Sequence, residues 1–231
     1  MIFSILIPAK NEEKNIAQTV KAIADRFKAE NFAFEILVID DGSADNTSEK
    51  AKMTGESESI PLRVISNPGP FGIGNAIKIG LQEYRGDAVI ITMADLSDSP
   101  QDMVQYAKIM EEEGVDCCFG DRWSIKGLVT AYPQHKLLLN RLANWFIALL
   151  FGITYRDVTN AFKCYSRQTI EGLKPLLSHH FNITVELPLK AITRGFSYKI
   201  VPTKWRNRQK GVSQLKIREM GSRYLFIILY I

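Results

Sequence analysis

Residues 34–43 read Phe-Glu-Ile-Leu-Val-Ile-Asp-Asp-Gly-Ser. The run Phe34–Ile39 is apolar almost throughout instead of alternating, which marks a strand covered on both faces, and Asp40-Asp41-Gly42-Ser43 stops it with turn chemistry. Upstream, Phe3–Ile7 is a similar run ending at Pro8, followed by Ile16, Val20, Ile23, Ala24 and Phe27 at helical spacing. Downstream, Leu62–Ile65, Ala88–Met93 and Val115–Phe119 repeat the pattern. Between them lie a helix carrying Ile77, Leu81 and Tyr84 and a second over Pro100–Glu113, with Pro100 suited to a helix start. This alternation predicts an α/β fold with a mostly parallel sheet.

Ligands of such sheets sit beyond the carboxyl ends of the strands. That rim would comprise Pro8–Glu12, Asp40–Ser43, Met93–Asp98 and Gly120–Trp123. Its carboxylates suit a divalent ion holding a phosphorylated ligand. The glycine loop Asn67–Gly74 is neither a Walker A loop nor a dinucleotide fingerprint, so packing of the next helix is its expected role. Asn11 and Asp98 each also suit a helix N-cap.

The 231 residues carry 29 Lys+Arg against 25 Asp+Glu, a formal charge of +4, with 46% apolar and 23% charged residues. That is globular composition and excludes a disordered or collagen-like chain. The modest charge does not point to nucleic acid. Three cysteines, Cys117, Cys118 and Cys164, without a C-x-x-C spacing argue against a disulfide framework or zinc site. His135, His179 and His180 lack the i, i+4 spacing of a histidine metal pair. With no basic leader before MIFSILIPAKNEE, the expectation is a cytoplasmic protein, peripheral on the cytoplasmic face of a membrane.

The membrane enters through the second half. Leu137–Ile153 is nearly apolar all round, interrupted by Asn140, Arg141 and Asn144. It is shorter than the ~20 residues of a span and suits an interfacial helix, with a buried core helix as the other reading. Trp145, Phe146 and Phe151 fit a core or membrane surface better than stacking platforms. From Lys199 to Arg223 basic residues face the single acid Glu219, and an apolar run over Tyr224–Ile231 follows. That pairing fits an anionic bilayer surface, or a solvated basic face beside a docked helix.

Together the segments resemble the inverting glycosyltransferases of family 2, and more narrowly the dolichyl-phosphate mannose synthase branch of polyprenyl-phosphate hexosyltransferases. The carrying residues are Ile7–Glu13, Val38–Ser43, Ala94-Asp95-Leu96 followed by Pro100, Gly120–Trp123, Asn160–Lys163 and Arg208–Ser213. The resemblance implies a Rossmann-like GT-A fold with C-terminal amphipathic helices. A glycosyltransferase domain would cover 1–203, with a nucleotide-sugar half at 1–123 and an acceptor half at 124–203. A basic loop and apolar helix would follow at 204–231. It implies transfer of a hexose from a nucleotide diphosphate sugar, GDP-mannose or UDP-glucose, to a polyprenyl phosphate.

By the same resemblance Pro8, Lys10, Asn11, Glu12, Ile39, Asp41 and Ala94 bind the donor. Asp95 is the principal ligand of Mg2+ or Mn2+, with Ser97 beside it; the family's Asp-Ala-Asp and following Gln appear here as Met93-Ala94-Asp95 and Ser97. Arg122 and Arg208 meet phosphates and count with Asp95 as catalytic. Arg122, Lys136 and Asn140 take the acceptor phosphate.

An anionic acceptor needs no base, whereas a sugar hydroxyl would. Glu186 and Asp157 are the second-half acids that offer one, and they keep glycan extension open as the alternative. A sugar nucleotidyltransferase is disfavoured because Pro8–Glu13 has no glycine. Met93 motivates a further reading, a nucleotide-sugar binder without turnover.

Overall fold

The computed structural model describes residues 1–125, 129–130, 134–206 and 217–231, with the main chain alone at 130, 134–136 and 217–220. The first half alternates β1 (Ile2–Ala9), α1 (Ile16–Ala29), β2 (Ala33–Asp40), α2 (Thr47–Ser57), β3 (Leu62–Ser66), α3 (Ile73–Glu83), β4 (Ala88–Ile91), α4 (Pro100–Glu113) and β5 (Cys117–Asp121). The second half adds β6 (Val129–Thr130), α5 (Gln134–Phe151), β7 (Lys163–Ser166), α6 (Arg167–Gly172), α7 (Ile183–Thr193), β8 (Tyr198–Pro202), β9 (Trp205–Arg206) and α8 (Ile217–Tyr230). The five strands read from apolar runs are all present. Helix α2 gave no periodic signal because it buries the small residues Thr47, Ala51 and Gly55.

Seven strands form one sheet in the order β3-β2-β1-β4-β7-β5-β8. All pair in parallel except β7, which lies antiparallel between β4 and β5. The sheet buries both faces. Phe3, Ile5 and Ile7 of β1 meet Val20, Ile23 and Phe27 of α1 in one core layer, while Leu6 joins Ile77, Leu81 and Ile183 in the other. That is the period-two division a two-faced sheet demands. Helix α4 ends at Gly114, whose φ of +65° and N–H to Met110 O form a left-handed cap.

Helix α5 resolves the two readings of its sequence. Asn144 and Ile147 turn inward, but Leu138, Leu139, Leu142, Trp145, Phe146, Leu149 and Leu150 are between 42% and 67% exposed. It is not a core helix. Helix α8 docks on the core through Ile227 and Ile228, as one reading of the tail expects, while Leu225, Phe226, Leu229 and Tyr230 face outward. Among the described residues no helix is long and apolar enough to cross a membrane.

Candidate active site at the strand ends

The ends of β1, β2, β4 and β5 meet along one rim. Asn11, at φ +56°, knits the first two together. Its N–H donates to Ser43 Oγ at 3.0 Å and its Oδ1 accepts from Ala44 N–H at 2.8 Å. Glu12 N–H donates to Thr47 Oγ1 at 2.8 Å. Asn11 is therefore no helix cap; Asn15 occupies that position before α1, and Asn15 Nδ2 donates to the Glu12 carboxylate at 2.6 Å. The Ile39 side chain is wholly buried beneath the rim, so what it can offer a ligand is its main chain.

Asp41 corrects the reading of the glycine loop. Both of its carboxylate oxygens accept Gly72 N–H at 2.9 Å, and Asn67 Nδ2 donates to Oδ1 at 2.7 Å. The loop thus closes onto the rim as well as leading into α3. Phe71 rests against Gly42, where any Cβ would meet the ring, and Lys10 Nζ lies 5.1 Å from the ring centre. No motif in the sequence announced these contacts.

At the end of β4, Ala94 O accepts from Thr19 Oγ1 at 2.8 Å, and the turn over Asp95–Ser97 passes through Leu96 at φ +54°. Ser97 N–H donates to Asp95 Oδ1 at 3.1 Å. Asp98 does not cap α4, since Ser99 holds that place. It is buried, accepts from Thr92 Oγ1 at 3.2 Å, and its carboxyl is pushed up to about 7 by burial and then by the charge of Asp95, with Arg122 opposing. Among the described residues no three His, Cys, Asp or Glu side chains form a ready ligand set. The donors present are nonetheless hard oxygens. Magnesium is commonly held by one or two carboxylates completed by substrate phosphates and water, so Asp95 fits that mode.

The end of β5 supplies Arg122, 8% exposed. Its Nε and Nη2 donate to Asp157 Oδ2 and Oδ1 at 2.8 and 2.7 Å, and its main-chain N–H donates to Oδ2 at 3.0 Å. Trp123 Nε1 reaches Oδ1 of the same carboxylate at 3.1 Å. Asp157 is inaccessible to solvent and so is no general base. Glu186 is excluded likewise: it is buried, accepts Leu177 and Ser178 N–H groups at 2.8 and 2.7 Å, and pairs with Lys190 at 2.6 Å.

The segment Asp157–Phe162 is fixed from below. Lys163 Nζ donates to Val158 O, Asn160 O and Thr184 O. Burial draws the ammonium down to about 7, with Asp157 acting against it. Asn160 Nδ2 and Tyr155 Oη both donate to Gly120 O, at 3.1 and 2.9 Å. Asn140 on α5 donates to Thr159 Oγ1 at 2.8 Å, which ties the exposed helix to this segment. Arg208 and the Lys136 side chain lie outside the described residues.

A family model for glycosyl transferase family 2 matches residues 4–173. The chain belongs to this family. The glycosyltransferase is 29% identical over 216 residues to a polyprenol monophosphomannose synthase of Mycolicibacterium smegmatis, covering 91% of this chain and 80% of that one. It is also 29% identical over 220 residues to a dolichol-phosphate mannosyltransferase of Pyrococcus furiosus, covering 94% of this chain and 60% of the relative, less than two thirds of its length.

Solved structures agree on the fold. Glucosyl-3-phosphoglycerate synthase from Mycobacterium tuberculosis, in complex with Mn2+, UDP and phosphoglyceric acid, superposes with a TM-score of 0.71 at 19% identity over 99% of this chain and 77% of that one. The same enzyme with Mg2+ and UDP gives 0.70 at 18% identity, over 99% and 78%. The glycosyltransferase therefore has a GT-A-like fold, and the rim just described stands at the strand ends where such sheets bind ligands.

Proposed function

We propose that this glycosyltransferase moves a hexose, mannose in the first instance, from a nucleotide diphosphate sugar to a polyprenyl phosphate at a membrane surface, with inversion. The observation that carries the acceptor class is the engagement of Asp157 and Glu186 in buried ion pairs. A sugar hydroxyl needs a base at the reacting carbon, and neither acid is available to act as one. A phosphate monoester is already an anion at neutral pH and attacks without one. The names of the two relatives point the same way, and the exposed apolar face of α5 is where a prenyl chain would arrive.

In this reading Pro8, Lys10, Asn11, Glu12, Ile39 and Asp41 form the nucleoside pocket, with Asp41 holding the glycine loop in place. Ala94 and Asp95 face the donor diphosphate, and Asp95, with Ser97 beside it, would hold Mg2+ or Mn2+. A divalent ion there supplies charge neutralisation of the leaving diphosphate. Arg122, oriented by Asp157, adds fixed positive charge beside the diphosphate as the glycosidic carbon develops oxocarbenium character. Arg208, Lys136 and Asn140 complete the donor and acceptor phosphate contacts. Residues 1–123 serve chiefly the donor and 124–203 the acceptor, and the basic segment after 204 meets anionic lipid.

The test is transfer from GDP-mannose and from UDP-glucose to a polyprenyl phosphate, with Mg2+, with Mn2+ and with chelator. Metal-dependent formation of a polyprenyl-phosphate hexose is the expected product. Transfer to oligosaccharides alone would establish the alternative, and donor binding without any turnover would make the chain a nucleotide-sugar binder.

A further inference from the structure

Arg141 stands on the exposed apolar face of α5, flanked one turn away by Leu138 and Trp145. Its guanidinium carbon lies 5.6 Å from the centre of the Trp123 ring. The same indole has Arg122 at 5.4 Å, and its Nε1 bond to Asp157 fixes the plane of the ring. The two arginines differ in their counter-charges. Arg122 is paired with Asp157, whereas Arg141 has no carboxylate within 4 Å among the described residues.

The neighbouring Asn140, one of the acceptor contacts above, commits part of its amide within the protein. Its Nδ2 donates to Thr159, and its Oδ1 accepts from Asn144 at 3.1 Å. Arg141 instead offers a planar fork of donors, the geometry that grips phosphate in pairs. The contact with Trp123, which follows β5 at the rim, draws the guanidinium toward that rim.

We propose that Arg141, shelved on Trp123, binds the phosphate monoester of the lipid acceptor beside Arg122. This rests on the polyprenyl-phosphate reading above. The prenyl chain would lie along Leu138 and Trp145, whose apolar surface lowers the local dielectric and strengthens the contact.

Kinetics with a soluble short-chain prenyl phosphate, without vesicles, test the assignment using Arg141→Gln and Arg141→Lys. Arg141 is exposed, so both variants should fold, and thermal melting verifies it. Arg141→Gln should raise the acceptor KM by ~10- to 100-fold, the range of a charge-assisted hydrogen bond, while the donor KM stays put. Arg141→Lys should recover part of the loss. A second arm measures binding to anionic phospholipid vesicles lacking acceptor, which should change less than about twofold. An unchanged acceptor KM overturns the proposal, and so does a parallel rise in both KM values. Weaker vesicle binding with an unchanged acceptor KM reassigns Arg141 to bilayer headgroups and also overturns it. Wild-type protein that ignores every prenyl phosphate would sink the acceptor reading itself, and this role with it.

Discussion

Asp157 grips Arg122 at three points, two on the guanidinium and one on the main chain, in a place water does not reach. The pair joins the end of β5 to the segment that precedes β7. Breaking one side of such a pair leaves a buried charge uncompensated. Asp157→Asn should therefore lower the unfolding free energy by ~3–5 kcal/mol and abolish turnover. Urea titration reads the first effect. A variant of wild-type stability would mean that Arg122 finds another partner and that the pair is dispensable.

Asp95 is different, because it is only partly buried and the bond it accepts from Ser97 N–H is local to its turn. Asp95→Ala should leave the melting temperature near wild type and reduce kcat at least ~100-fold, the scale of losing a charge-stabilising group. Added Mn2+ should no longer tighten nucleotide binding in calorimetry. Retained metal-dependent activity would remove Asp95 from the donor site.

The apolar surface of α5 makes a separate prediction. Leu142 and Leu149 face outward, so Leu142→Glu and Leu149→Glu should not destabilise the protein in solution. Each burial lost from a bilayer is worth ~1.5–3 kcal/mol, so vesicle partitioning should fall ~10- to 100-fold per substitution. Co-sedimentation with vesicles measures this. Unaltered partitioning would place the contact elsewhere, in the basic tail, where it would weaken with salt.

Acid should unfold the protein partly through Glu186. Burial pushes this carboxyl up, but hydrogen bonds from Lys190, Leu177 and Ser178 outweigh it, and the net direction is below the ordinary 4.5. A group depressed on folding binds fewer protons in the native state. It therefore stabilises fully above pH 4.5 and loses that contribution as pH falls through the lower native value. The difference in denaturant midpoint between wild type and Glu186→Gln should stay constant from neutrality to about pH 5 and narrow below it. An identical acid limb in the variant would dissociate Glu186 from the effect.

The strands and the rim were legible because continuous apolar runs ending in Pro8, Asp40 or Met93 leave few other arrangements. Strand β7 was not, since Lys163-Cys-Tyr-Ser opens on a charge, and only the three carbonyls around Nζ make that lysine a core residue. Sequence pattern likewise cannot separate an acid poised for chemistry from one buried in an ion pair. Asp157 and Glu186 looked like bases until their partners were visible. Trp123 and Arg141 come together only because α5 passes the segment that follows β5, and nothing in their spacing announces it.

The reversed direction of β7 has an architectural consequence. Lys163, its first residue, pairs with Ile91 and Phe119 near the finishing ends of its neighbours. The other six strands of this sheet bring to the rim what comes after them; β7 brings what comes before it. Asp157 and Asn160 are thus anchored by a strand that starts beneath them, while that strand ends at the opposite pole of the sheet, where Ser166 caps α6. A designer could alter that distant junction without touching the rim, but could not delete a residue between Asp157 and Lys163 without unclasping Arg122.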